Sequence, residues 1–136
     1  MNASIYIGLP SILGSRLFKK FDSINSFAGF ADEGNASGFE LAFAWGQIRM
    51  NILSGDELDS HLNGFENYLR SVKDVTDLTY VLARLADVRV VLGCIIVCDA
   101  KSEDMVFEFL GQFNYMTSGL LFMNDSVWDW DGEPVA

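Results

Sequence analysis

Histidine occurs once in this chain, as His61, and cysteine only as Cys94 and Cys98. Zinc centres and nucleophile–base pairs usually draw on histidine or on several cysteines, so the sequence offers neither. The two cysteines stand four apart on a predicted strand. They share a face but lie about 13 Å apart at strand rise, too far to bond to each other. Their neighbours are apolar, which raises a thiol's pKa and makes it inert, so both read as small core residues of a reducing compartment. Basic residues are also scarce: nine Lys and Arg stand against nineteen Asp and Glu, for a net charge of −10. That sign repels phosphate backbones and anionic headgroups. The expectation is therefore no direct nucleic-acid partner, no membrane partner, and attraction to a basic protein.

No apolar run approaches the ~20 residues that span a bilayer. Met1–Ile5 carries no basic residue ahead of its first apolar ones, unlike a secretory signal. The expected location is cytoplasmic, and the Asn-x-Ser triplets at Asn2, Asn35 and Asn124 then read as chance matches. The glycines at 29, 34 and 38 are not followed by the Gly-Lys-Ser/Thr of a phosphate loop. The acids at 125, 129, 131 and 133 lack the glycine and glutamate positions of an EF-hand. No cofactor, metal or catalytic set is expected, and His61 reads as a partly exposed helix residue beside its stripe.

At 136 residues the chain is of single-domain size, spanning 1–136. Its organising stretch is Val88–Cys98, where apolar residues run without alternation. A strand apolar on both faces needs layers above and below it. Ser4–Leu9 reads as a strand, and Ile12, Leu13, Leu17, Phe21 and Ile24 as a first helix starting after Ser11. The stretch from Phe27 to Gly38, with Asp32, Glu33 and Asn35, reads as a surface loop. Phe39–Leu53 is the clearest hairpin. A turn at Gly46-Gln47 would pair Trp45 with Ile48, Phe43 with Met50 and Leu41 with Ile52, all on one apolar face.

Ser54-Gly55-Asp56-Glu57 has the form of a capping box. It precedes a helix with Leu58, Leu62, Phe65, Leu69 and Val72 inward, its acids at the start and Arg70 and Lys73 at the end. Thr76 would cap a short helix and Ser102 a third long one, with Met105, Val106, Phe109, Leu110 and Phe113 as its buried stripe. Gly119–Met123 and Val127–Trp130 complete the strands, joined by a turn at Asn124-Asp125-Ser126. The expected fold is α+β: a mixed, mostly antiparallel sheet, Val88–Cys98 at its centre, three to four amphipathic helices packed on it. A parallel crossover is expected from that strand to Met123.

The remaining signal is on the surface. Alternation puts Trp128 and Trp130 on one face of a final edge strand, with Asp125, Asp129, Asp131 and Glu133 around them. Aromatic anchors rimmed by acids suit an interface with a basic partner. The same tryptophans would also serve as a cover for the core. A second acidic group, Asp99, Glu103, Asp104 and Glu108, lies at and beyond the end of the central strand, where a helix start also favours acids. The residues point to a non-catalytic binding protein that engages and neutralises a basic partner, most concretely an immunity-type inhibitor of a toxin such as a nuclease. The alternatives are a small enzyme or ligand-binding domain with a cleft near Asp99, and a homodimer that buries the Trp128–Trp130 strand.

Overall fold

The computed structural model describes residues 1–31, 37–72 and 77–135. Strands are β1 (Asn2–Ile7), β2 (Ile24–Ala31), β3 (Ser37–Phe43), β4 (Gly46–Leu53), β5 (Val90–Cys98), β6 (Leu120–Met123) and β7 (Ser126–Trp128). Helices are α1 (Ser15–Phe18), α2 (Gly55–Ser71), α3 (Leu78–Ala86) and α4 (Glu103–Thr117), with short 3₁₀ turns at Pro10–Ile12 and Ala100–Ser102. The strands form one sheet in the order β2-β3-β4-β5-β1-β6-β7, so the apolar strand β5 is the middle of seven. The protein is an α+β domain, as its alternating and helical stretches imply.

Every neighbouring pair in this sheet is antiparallel. The sheet is thus not mixed. The crossover from β5 through α4 to β6 does connect two strands of like direction. They are not paired, because β1 lies between them and runs the opposite way to both.

Two cores result. The larger lies between the sheet and α1/α4. It holds Ile5, Ile7, Leu41, Ile48, Met50, Leu92, Cys94 and Ile96 against Phe18, Phe21, Phe109, Leu110 and Phe113. The smaller lies on the other face, where Tyr6, Val91, Leu120 and Val127 meet Leu58, Phe65 and Leu69 of α2 and Val81 and Leu85 of α3.

Three sequence expectations change. The first helix is only four residues long, because Gly14 separates it from the preceding turn and Ile24 already belongs to β2. Leu17 on it and Phe21 just beyond it are buried all the same. The stretch read as a loop from Phe27 supplies the end of β2 and the start of β3. Two of its glycines lie in strands instead of turns, Gly29 opposite Phe39 and Gly38 opposite Phe30. A Cβ on Gly38 would fall 2.9 Å from the Phe30 ring and 1.9 Å from the Met50 carbonyl oxygen. Asp32, Glu33, Gly34 and Asn35 lie outside the described residues, as do Lys73 and the expected cap Thr76.

The hairpin forms, but in another register. Its turn is Ala44-Trp45, so Leu41 faces Ile48, Phe39 faces Met50 and Ser37 faces Ile52. The slip relative to the expected pairing is even, so the same side chains stay on the buried face. Gly46 is needed in the strand. Its φ is 153°, and a Cβ there would sit 2.0 Å from the Val97 carbonyl oxygen of β5.

Ser54 and Ser102 do stand at the N-termini of α2 and α4, without a side-chain capping hydrogen bond at either. Among the described residues no helix is long and apolar enough to cross a membrane.

Candidate functional site

Helix α4 turns Val106, Phe109, Leu110, Phe113 and Asn114 inward. Its opposite side exposes Glu108, Gln112 and Tyr115, and also Met105, which the sequence places in the buried stripe; Tyr115, at 59%, is the most exposed large apolar side chain of the helix. What lies beside that surface is decided by the C-terminal segment. The Asn124-Asp125 turn, both residues at positive φ, sends the chain back as β7, the primed geometry that suits a two-residue hairpin. After Trp128 the segment is held by Asp129.

Asp129 is 7% exposed. One carboxylate oxygen accepts from the Tyr80 hydroxyl. The other accepts from the Arg84 guanidinium and, at 2.9 Å, from the Trp130 backbone N–H. The Asp129 carbonyl accepts from the Asn114 side-chain amide at 3.1 Å and from the Gly132 N–H at 3.0 Å. Its own N–H donates to the Glu133 carbonyl at 2.8 Å. Arg84 donates in addition to the Ser118 carbonyl at 2.7 Å, at the end of α4. Burial alone would raise the Asp129 pKa. The Tyr80 hydroxyl, the Trp130 N–H and the Arg84 charge outweigh it, and the carboxyl is held below the ordinary aspartate value. Tyr80 moves the other way, raised chiefly by its hydrogen bond to Asp129.

This cluster places Trp130 off the strand and against α4, its ring 5.8 Å from that of Tyr115. Between them runs a groove of about 480 Å³ lined by Lys20, Phe107, Glu108, Gly111, Tyr115, Trp130 and Asp131, among others. A second groove of about 660 Å³ shares Lys20, Phe21, Glu108 and Gln112 with it and continues past Met105 to Asp22 and Trp45. A small recess of about 190 Å³, bounded by Asn114, Trp128 and Asp129, shares Gly111 and Gly132 with the first groove. Gly111 lies in mid-helix with open space where a Cβ would project, which keeps the floor low. Glu108 and Asp131 form no ion pair among the described residues; the paired carboxylates there are Glu40, Glu66 and Asp129.

The structure therefore joins one acid of each sequence-predicted group, Asp131 and Glu108, around an exposed Trp130. Trp128 is half-buried against the larger core. Asp99, Glu103 and Asp104 are exposed around the start of α4, and Glu133 is exposed in the tail. Asp125 lies at a different site, described next. Sequence reading missed Tyr115, whose only signal is an aromatic residue off the buried stripe of α4. It missed Gly111, a helix-interior glycine with no packing role. It had no access to the Tyr80–Arg84–Asp129 cluster, whose members stand 45 and 49 residues apart.

On the α2/α3 face, Asp125 borders a cavity of about 470 Å³ with Ser4, Tyr6, His61, Tyr68 and Phe122. The Tyr6 hydroxyl lies 2.9 Å from His61 Nε2. Burial lowers the His61 pKa below its ordinary value. Burial also raises that of Tyr6, against the pull of a hydrogen bond with Ser4. Both groups are therefore neutral near pH 7, and the pair orients the phenol without a charge. Among the described residues no group of three His, Cys, Asp or Glu side chains comes together as a metal site. Compared with known proteins, the chain matches no family model, no curated protein and no solved structure.

Proposed function

We propose that the chain is a non-catalytic binding protein whose groove along α4 engages and neutralises a basic protein partner. Its most concrete form is an immunity-type inhibitor of a toxin such as a nuclease. The observation that carries this reading is the convergence on one groove of exposed Tyr115 and Trp130 with the carboxylates of Glu108 and Asp131, neither of them in an ion pair among the described residues, with exposed Met105 on the adjoining groove. Aromatic faces and exposed carboxylates together suit an incoming guanidinium or ammonium: the ring attracts the cation through its quadrupole and the carboxylate supplies the counter-charge. The net charge of −10 adds long-range attraction for a basic surface. Asp99, Glu103, Asp104 and Glu133 then act as outlying charges that speed the encounter.

The test is capture of a basic protein on immobilised chain at low and at high salt. The expected result is specific capture that weakens as salt rises. Trp130→Ala should weaken it by about 2 kcal/mol or more, as a buried aromatic anchor does. Capture indifferent to salt and to Trp130→Ala and Glu108→Lys would remove the reading.

A second reading, a ligand-binding domain, has one observation in its favour: the cavity with aromatic walls and the oriented Tyr6–His61 pair. Native mass spectrometry that finds a bound small molecule, lost in Tyr6→Phe, would favour it.

A further inference from the structure

The sheet has two edges, and they are finished differently. β7 is three residues long. The chain's own tail lies along it: Trp128 bridges Pro134, and the Val135 N–H donates to the Val127 carbonyl at 2.8 Å. A strand from another molecule finds that edge occupied. At the other edge, β2 presents eight residues, Ile-Asn-Ser-Phe-Ala-Gly-Phe-Ala, with no charge and no proline. Natural edge strands are usually guarded by such residues, because unpaired backbone N–H and C=O groups template pairing. A bulge at Ile24/Ser26 interrupts the start of β2, and from Ser26 to Ala31 the strand is regular.

From these features we infer that β2 pairs antiparallel with β2 of a second copy of this chain, about a two-fold axis at Ala28, joining two sheets into one. Three observations select a copy of itself as the occupant. First, the strand is self-complementary in size about Ala28. In that register Phe27 lies opposite the partner's Gly29 and Phe30 opposite the partner's Ser26, so neither ring, Phe27's against Phe18 and Phe30's over Gly38 of its own chain, meets a second large side chain at the seam. The inner side of β2 pairs large with small positions in the same way, Gly29 opposite Phe39 and Phe30 opposite Gly38. Second, the strip is locally neutral. Glu40, which lies opposite Ala28 on β3, is paired with Arg49 at 2.8 Å. A molecule of net charge −10 thus offers its own kind a contact without like charges facing each other across it. Third, among the described residues only one edge of the sheet is open, so pairing closes at two copies instead of running on as a filament.

The prediction separates cleanly from binding of a basic protein, because the salt dependence has the opposite sign. Screening the overall repulsion between two acidic copies strengthens the dimer as salt rises. Sedimentation equilibrium of the full chain across protein concentration, at low and at high sodium chloride, is the experiment. The expected result is a mass that doubles from 15.1 kDa with concentration, more readily at high salt. Ala28 is exposed, so Ala28→Lys leaves the fold intact by circular dichroism. It places like charges opposite each other on the axis, which should weaken association about tenfold. Ala28→Glu should do the same, and an equimolar mixture of the two variants should restore it. A chain that stays monomeric under all conditions overturns the inference. So does a dimer that dissociates as salt rises, or one that either substitution leaves intact. Failure of the mixture to restore association overturns the Ala28 register.

Discussion

On the α1/α4 side of the sheet, strands β4 and β5 bury Ile48, Met50, Leu92, Cys94 and Ile96 beneath a layer of phenylalanines. On the α2/α3 side the same two strands leave Arg49 half-exposed and Gln47, Ile95 and Val97 open, the last two at 50% and 56%. The helices of this second side cover β1, β6, β7 and the first half of β5, and leave Ile95 and Val97 of β5 bare. A continuous apolar run therefore carries two different meanings along one strand. Up to Leu92 it reports a strand sandwiched between layers. Beyond that, alternate residues report one core, and the others a bare face. The acids of the C-terminal segment divide in the same manner: Asp129 is inside and holds the fold, and Asp131, two residues on, is presented.

The largest effect belongs to the closed side. Phe113 has no exposed surface, stacks with Phe18 and Phe21, and lies tilted against Phe109. Phe113→Ala should cost about 3–5 kcal/mol in urea unfolding, and a loss near 1 kcal/mol would mean that this layer is not tightly packed. Next comes the internal acid. Asp129→Ala leaves Arg84 without its partner at a largely buried site and should cost about 3 kcal/mol. Its pH signature has a defined sign. The folded carboxyl binds its proton less readily than the unfolded one. The stabilisation is therefore full above the unfolded aspartate value of about 3.9 and fades as pH falls through the lower folded value. A stability–pH curve for Asp129→Ala should lack that acid limb, and an unchanged limb would refute the assignment.

Gly111→Ala is smaller and of opposite sign. With open space at the Cβ position, it should stabilise α4 by about 0.5–1 kcal/mol while narrowing the groove. Gain of stability with loss of partner capture would assign Gly111 to binding, and gain of both would not. The smallest effect belongs to the bare face, where Ile95→Thr should change stability by less than about 0.5 kcal/mol. A loss beyond 2 kcal/mol would show that this face is covered in solution.

Periodicity made the elements with one greasy face legible. The stripe Leu58, Phe65, Leu69 of α2, the alternation of β3 and β4, and the run in β5 all follow from which residues must leave water. The register of the hairpin did not follow, because any even slip satisfies the same pattern, and the choice among them rests on Gly46 approaching Val97 of a distant strand. β2 and the start of β3 were hidden because a strand glycine opposite an aromatic residue, as at Gly29 and Gly38, looks in sequence like glycine at a turn. The acid-rich tail was legible as a surface with tryptophans. That Asp129 would turn inward was not, since Tyr80 and Arg84 are brought to it only by the fold.

Burial raises the Cys94 thiol to about 12. It sits on the phenylalanine side of β5, while Cys98 at the strand's end is half-exposed. The native protein thus carries its own probe of openness. A thiol reagent at neutral pH marks Cys98 from the start, and Cys94 only when the sheet parts from α4, so the delay between the two modifications times the breathing of the larger core.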